Sequence, residues 1–225
     1  MSKTIVITGA GRGIGHALVQ LAAEEGHQVF ALSRNIDRIE PSETVKPFPI
    51  DITDANALEA FASRLEKEGH TVDVLINNAG AFLNKPFAET SKAEFEAIYQ
   101  VNVFGLASIT RLLLPLISQK GHVVNISSMG GVQGTAKFPG LAAYSSSKGA
   151  VSILTELLAE EYIHTGPAFN ALALGAVQTE MLEEAFPGFK APLTPKEMAA
   201  YILDFALSGH RFYNGKVLPV SSSTP

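Results

Sequence analysis

Tyr144 and Lys148 are the residues whose types and spacing most directly suggest chemistry. The segment from Ser145 to Ile163 has a helical pattern, and side chains four positions apart lie side by side on a helix. A phenol has a pKa of about 10, and a nearby cation lowers it by stabilising the phenolate. Such a pair can pass a proton to or from an oxygen. Taken alone, it is more often part of a solvated helix face.

A glycine-rich segment follows the first apolar stretch of the chain. Residues 3–8 have the pattern of a short buried strand, and Gly9, Gly13, Ile14 and Gly15 lead from it into a helical pattern. Glycines let the backbone approach a pyrophosphate, and a helix N-terminus offers free N–H groups. The spacing G-x-x-x-G-x-G differs from the common G-x-G-x-x-G. Its position between strand and helix still predicts a dinucleotide-binding loop rather than an ordinary tight turn.

The end of the second predicted strand carries cations and no carboxylate. An Asp or Glu there commonly binds the adenosine ribose of NAD, but this chain has Ser33, Arg34 and Asn35, and Asp37 lies past the strand end. Arg34 and Arg12 of the glycine loop suit a ribose 2′-phosphate, because guanidinium groups pair strongly with phosphate. The alternative is two ordinary surface arginines. The sequence predicts NADP(H) rather than NAD(H).

Strand patterns alternate with helix patterns along the whole chain, which predicts a parallel sheet whose ligands bind at the carboxyl ends of the strands. We predict a single α/β domain over residues 1–225, of the Rossmann type. It is a doubly wound, mostly seven-stranded parallel sheet with helices on both faces. The predicted strands are 3–8, 28–32, 45–50, 72–76, 122–126, 169–173 and 216–220, and the main helices after the first are 55–68, 91–120, 145–163 and 195–208.

The amino-acid composition limits the classes of function that the chain could have. The 225 residues are 46% hydrophobic and carry a net charge of -5, which favours a large core and disfavours nucleic acid as a partner. There is no cysteine, and the six histidines show no ligand spacing, so we predict no metal and treat each histidine as a surface or loop residue. No segment resembles a signal peptide or approaches the ~20 apolar residues that cross a bilayer. We therefore expect a cytoplasmic protein without membrane contact.

Residues 8–15 and 77–80, together with Tyr144 and Lys148, resemble the classical short-chain dehydrogenase/reductase family in order and spacing. The resemblance covers nearly the whole chain. It implies hydride transfer between NADPH and a carbonyl or alcohol substrate. It also implies a homodimer or homotetramer that pairs helices 91–120 and 145–163. The apolar residues compatible with such pairing, or with packing on the sheet, are Ile109, Leu113, Leu116, Val151, Leu154 and Leu158.

The resemblance also assigns roles to individual residues. Asn102, unfavourable within a helix, matches a catalytic Asn whose local helix distortion orders a water in a proton relay to the Lys. Ser128 matches the Ser that hydrogen-bonds the substrate oxygen, with Ser127 beside it as the alternative. The predicted catalytic residues are Asn102, Ser128, Tyr144 and Lys148. The predicted cofactor-binding residues are Gly9, Arg12, Gly13, Ile14, Gly15, Ser33, Arg34, Asp51, Ile52, Asn78, Ala79, Gly80, Tyr144, Lys148, Gly175, Val177 and Thr179.

Three features depart from the family pattern. Leu174 replaces the proline that usually precedes Gly175, the segment from Ser128 to Tyr144 is longer than usual, and the tail 221–225 lacks the common Asp-Gly-Gly-like ending. Residues 176–194 are the predicted substrate lid. The lid residues that would line an apolar pocket, or belong to the core, are Met181, Phe186 and Phe189.

Two other function classes were weighed against the reductase. An NADP(H)-binding sensor or scaffold with little turnover is disfavoured by the intact catalytic set. A serine acyl-enzyme would use Ser145 and Lys148 as S-x-x-K, but the K-T-G element it requires is absent. The sequence leaves open the substrate, the stereochemistry and the physiological direction.

Overall fold

The structure is a computed structural model that describes residues 1–221, so residues 222–225 of the tail lie outside it. Its strands are β1 (Thr4–Thr8), β2 (Gln28–Ser33), β3 (Val45–Pro49), β4 (Val72–Asn77), β5 (Ile117–Ser128), β6 (Ala168–Leu174) and β7 (Lys216–Val220). They form one parallel sheet in the order β3-β2-β1-β4-β5-β6-β7. The predicted doubly wound α/β fold is confirmed, and the limits of the domain stay a prediction.

Helices cover both faces of the sheet. Successive residues of β1 alternate between two buried clusters, with Ile5 and Ile7 in one and Val6 in the other. Both faces are therefore apolar, as a buried parallel sheet requires. The first cluster includes α1 (Gly13–Glu24) and α7 (Pro195–Ser208), and the second includes α2 (Ala55–Lys67), α4 (Leu106–Leu113) and the end of α5 (Ala142–Glu161). The remaining helices are α3 (Lys92–Tyr99) and α6 (Glu180–Ala185).

The predicted helix 91–120 is too long at its C-terminal end. A π-helical turn, Gln100–Gly105, joins α3 to α4, and the helical run ends with a short 3-10 turn, Leu114–Leu116. Pro115 cannot continue a helix, because it lacks the backbone N–H and clashes with the preceding turn. Strand β5 therefore begins earlier than predicted, and its pairing with β4 contains an irregularity between Val72 and Val74.

The helical run Lys92–Leu116 is long and apolar enough to cross a membrane by length and composition, with a mean hydropathy of 1.4. The sequence analysis missed this because it counted only uninterrupted apolar residues. Such a run is weak evidence of a membrane span, since core helices of soluble proteins share it. Here Ile109 and Leu113 are fully buried in the second cluster of the core.

His122 is fully buried in β5, which corrects its assignment to the surface or a loop. Its Nδ1 lies 3.0 Å from the Ala206 carbonyl oxygen and its Nε2 lies 2.9 Å from Asn170 Nδ2. Because that amide nitrogen only donates and the carbonyl only accepts, the ring is neutral with its proton on Nδ1. Burial lowers the pKa of His122 to about 4; the Ala206 hydrogen bond opposes this shift and His210 adds to it.

The free energy of unfolding should decrease as the pH falls from about 6.5 toward about 4, because unfolded His122 binds a proton that the folded ring does not. The loss from this group approaches ~3 kcal/mol at lower pH. Urea unfolding across this pH range measures it. His122→Gln should flatten the pH dependence, whereas His164→Gln, at an exposed position, should not. An unchanged slope in His122→Gln would contradict the assignment.

Candidate active site

Tyr144 and Lys148 lie one turn apart on α5, which begins at Ala142 rather than at Ser145 as predicted. Lys148 Nζ lies 5.9 Å from the centre of the Tyr144 ring. The same ammonium donates a hydrogen bond to the carbonyl oxygen of Ile126 at 2.8 Å, which ties it to β5. Burial lowers the pKa of Lys148 to about 8. The structure therefore brings the predicted proton-transfer pair together beside the end of β5.

Burial raises the pKa of Tyr144, and a hydrogen bond with Ser128 acts in the opposite direction. The net direction is opposite to the one predicted from the charge of Lys148. The physical reason is that the ring is packed 4.7 Å from the Phe82 ring, while the ammonium is directed at the backbone of β5. Tyr144 nevertheless keeps part of its surface exposed, so a ligand can reach it.

The two serines at the end of β5 have different environments. Ser127 is buried, donates to the Lys148 carbonyl oxygen at 2.9 Å and lies 3.2 Å from Ser152 Oγ. Ser128 is half-buried, hydrogen-bonds with Tyr144 and accepts from the Gly130 N–H at 3.3 Å. Ser127 therefore anchors α5 to the sheet, and Ser128 is the serine that faces Tyr144.

Asn102 is fully buried within the π-helical turn. Its Oδ1 accepts from the Ala81 N–H at 2.7 Å, and its Nδ2 donates to the Ala81 carbonyl oxygen at 3.0 Å and to Ser147 Oγ at 2.9 Å. Ser147 in turn donates to the Tyr144 carbonyl oxygen at 2.7 Å. The side chain of Asn102 thus joins three segments: the loop after β4, the π-helical turn and the start of α5.

Two glycines border these segments. A Cβ atom on Gly80 would lie 3.5 Å from Asn102 Oδ1 and 3.6 Å from Lys148 Nζ, which are ordinary contact distances, so both polar groups border this glycine. A Cβ atom on Gly105 would lie 2.9 Å from Ile52. A larger residue at position 105 would therefore push the π-helical turn away from Ile52.

Hydrogen bonds connect the start of the glycine loop to the residues that follow β4. Gly9 has φ +67°, and a Cβ atom there would lie 2.7 Å from Ala79 Cα. Thr8 Oγ1 accepts from the N–H groups of Asn78 and Ala79, and Asn78 Nδ2 donates to the carbonyl oxygens of Thr8 and Gly9. A Cβ atom on Gly15 would collide with the Gly9 carbonyl oxygen. The side-chain amide of Asn78 therefore holds the backbone of the glycine loop close to the segment that follows β4.

The loop fits a dinucleotide phosphate group. Helix α1 begins at Gly13 with Ile14 in its first turn, and that turn carries no acidic residue, so its free N–H groups face no competing carboxylate from the helix itself. Gly13 has φ +54°, and a Cβ atom there would lie 3.4 Å from Thr179. The Thr179 side chain caps α6 by accepting from the Leu182 N–H. Val177 is buried beside this segment, and a Cβ on Gly175 would crowd Ser221.

The end of β2 faces Asp51 and carries exposed cations. Arg34 is exposed, and Asp37 is turned back to hydrogen-bond with Asn35, past the strand end as predicted. The pKa of Asp51 is lowered: burial opposes the shift, and hydrogen bonds from Thr53 and the charge of Arg34 produce it. Ser33 packs against the glycine loop, where a Cβ atom on Gly11 would lie 2.6 Å from its Oγ.

The segment predicted as a lid, residues 176–194, contains α6 and is linked to the site through aromatic contacts. The Phe186 ring lies 6.0 Å from the Phe82 ring, which itself contacts Tyr144. Met181 is half-buried, whereas Phe189 is 43% exposed and contributes little to a closed pocket.

Three residues at the site were missed by the sequence analysis. Phe82 follows the Asn77–Gly80 motif closely, and an aromatic residue there was an available signal. Ser147 lies between the two residues of the predicted pair, within the run Ser145–Ser147, where nothing local distinguishes it from its neighbours. Glu184, whose carboxylate pairs with Arg12 at 2.6 Å, gave no signal, because 172 positions separate them in sequence.

Comparison with known proteins agrees with this geometry. The family model described as short chain dehydrogenase matches residues 3–188. An uncharacterized oxidoreductase of Staphylococcus aureus is 29% identical over 220 residues, which cover 94% of each chain.

Two solved structures are also similar. A 4-hydroxyisoleucine dehydrogenase complexed with NADH has a TM-score of 0.88 at 26% identity and covers 99% of this chain and 98% of its own. ElxO with NADP bound has a TM-score of 0.84 at 30% identity, with 98% and 97% covered. The chain therefore belongs to the short-chain dehydrogenase family and is an oxidoreductase of that family.

Proposed function

We propose that this oxidoreductase transfers hydride between NADPH and a small-molecule carbonyl or alcohol, with carbonyl reduction as the favoured direction. The observation that supports this most is the convergence of Tyr144, Ser128 and Lys148 beside the glycine loop. Ser128 at the carboxyl end of β5, with Tyr144 and Lys148 beside it on α5 and a glycine loop nearby, supports an arrangement suited to carbonyl reduction.

Each residue of the set has a distinct role in the proposed reaction. The substrate oxygen accepts hydrogen bonds from Ser128 and Tyr144, which are already hydrogen-bonded to each other. The carbonyl carbon would receive hydride from a nicotinamide coenzyme held at this site. The Tyr144 hydroxyl gives its proton to the oxygen, which completes an alcohol and leaves a phenolate. The raised pKa of Tyr144 keeps the hydroxyl protonated before the step, as an acid requires.

Lys148 stabilises the phenolate and helps to return its proton. Burial lowers its pKa to about 8, close to neutral pH, so it gives up a proton more readily than an ordinary lysine. Asn102 acts through the shape of the π-helical turn, because its amide is already bonded to Ala81 and Ser147. The aromatic rings of Phe82 and Phe186 favour a substrate with an apolar group beside its carbonyl.

NADP(H) is proposed because the end of β2 has Arg34 and no carboxylate, and because Arg12 lies in the glycine loop. The glycine loop would hold the pyrophosphate, Asp51 and Ile52 lie toward the adenine side, and residues 175–179 lie toward the nicotinamide. The similar solved structures include proteins with NADH and with NADP, so the preference rests on the two arginines of this chain.

The proposed assembly is a homodimer or homotetramer. Three of the six apolar residues named from the sequence, Ile109, Leu113 and Val151, are fully buried within the subunit. The large apolar side chains that are exposed on α5 are Ile153 and Leu157, at 58% and 61%. A cytoplasmic location stays a prediction.

Tyr144→Phe should reduce kcat by ~10²–10⁴-fold, because it removes the proton donor and little else. NADPH binding should be retained. Turnover is measured as NADPH oxidation across a panel of aldehydes and ketones, and Tyr201→Phe, at an exposed tyrosine, is the control. Wild-type turnover in Tyr144→Phe would refute the assignment. Tight NADPH binding without turnover on any substrate would favour the sensor alternative.

Arg34→Ala should weaken NADPH binding by ~10-fold or more, because a charge-assisted contact with the 2′-phosphate is lost. NADH binding should change little. Titration of each coenzyme by calorimetry gives the two dissociation constants. Arg64→Ala, which removes a surface arginine paired with Glu68 on α2, should leave both unchanged. An unchanged NADPH/NADH ratio in Arg34→Ala would contradict the proposed preference.

Leu157→Lys should lower the molar mass in solution, because it buries a charge if α5 lies at a subunit interface. Light scattering coupled to size exclusion measures the mass. A wild-type protein that is monomeric at micromolar concentration would contradict the proposed assembly.

A further inference from the structure

Two carboxylates of α6 contact arginines at the coenzyme side of the site. Arg12 Nη1 lies 2.6 Å from Glu184 Oε1, and its Nη2 lies 3.4 Å from Oε2 of the same carboxylate. Arg38 Nη1, in the turn after β2, lies 3.1 Å from Glu180 Oε1. One helix of the lid is therefore paired with both the glycine loop and the segment that follows β2.

The pairing uses the donors that a phosphate would need. A guanidinium binds a carboxylate or a phosphate through its planar fork of N–H groups. Both terminal nitrogens of Arg12 face Glu184, and each group shifts the pKa of the other toward its charged form. A ribose 2′-phosphate that reaches Arg12 must therefore share or displace this carboxylate.

Both ends of α6 lie close to residues of the site. At its start, a Cβ atom on Gly13 would lie 3.6 Å from Glu180 Oε2, so this carboxylate borders the glycine loop. At its end, Asn84 Nδ2 donates to the Ala185 carbonyl oxygen at 3.3 Å, and the Phe186 ring contacts Phe82. The end of α6 that follows Glu184 is thus held by contacts that do not involve charge.

We propose that Glu184, assisted by Glu180, is a specificity-determining residue of the coenzyme site. Its carboxylate competes with the 2′-phosphate of NADPH for Arg12, and NADH binds without this competition. The lid therefore makes the preference for NADPH smaller than the arginines alone would produce. The inference rests on the proposed function, since it requires Arg12 to contact the 2′-phosphate.

The test measures dissociation constants of NADPH and NADH by calorimetry, without a substrate. Glu184→Gln should tighten NADPH binding by about two- to fivefold, the range expected for one exposed ion pair, and leave NADH unchanged. The matched control is Glu183→Gln on the same helix. It removes the same charge, and Gln can keep the acceptor for the Gly188 N–H, which Glu183 binds at 3.0 Å.

A double-mutant cycle separates competition at Arg12 from a general charge effect. Arg12→Ala should weaken NADPH binding, and in that background Glu184→Gln should have no further effect. Equal tightening of NADPH and NADH, or the same gain in Glu183→Gln, would overturn the proposal. So would an unchanged NADPH constant in Glu184→Gln while Arg12→Ala still weakens NADPH binding. If neither Arg12→Ala nor Arg34→Ala alters the NADPH/NADH ratio, the proposed cofactor preference itself is wrong.

Discussion

The buried side chain of Asn102 is the interaction on which the rest of the site depends. One amide makes three hydrogen bonds, two to the backbone of Ala81 and one to Ser147. In a buried environment, a partner left unpaired would keep its full desolvation cost, so the loss of any one of the three contacts would be destabilising. All three are made from a residue of the π-helical turn that interrupts an otherwise regular helix. They also fix the distance between the loop after β4 and the helix that carries Tyr144.

A second polar network lies below this one and extends it into the sheet. Asn77 Nδ2 donates to Thr110 Oγ1 at 2.9 Å and to Asn125 Oδ1 at 2.8 Å, and Asn125 Nδ2 donates to Thr155 Oγ1 at 2.8 Å. The network therefore joins β4 and β5 to the helices α4 and α5 that cover them. Asn125 is fully buried within β5. Asn77, which the sequence shows as the first residue of the 77–80 motif, thus also belongs to the buried packing that supports the site.

The fold was predictable from local patterns, because strand and helix periodicities, glycine positions and strand-end polar residues are all short-range signals. One error was local: helix 91–120 ends early because Pro115 interrupts the helical pattern before it. The other errors were decided by contacts between residues distant in sequence. The pKa direction of Tyr144 was wrong because burial by Phe82 is not visible in the Tyr–Lys spacing. The pairing of Arg12 with Glu184 depends on where α6 docks, which no local pattern contains.

The strand order has a consequence for how the chain is built during synthesis. β2 and β3 extend the sheet from one edge of β1, and β4 to β7 extend it in sequence from the other edge. Every strand therefore joins an edge that already exists when it emerges, and none has to insert between two strands that are already paired. The long-range pairing that usually slows parallel sheets can therefore form here one strand at a time. The last strand, β7, is added at the edge of the sheet only after all four predicted catalytic residues have been synthesised.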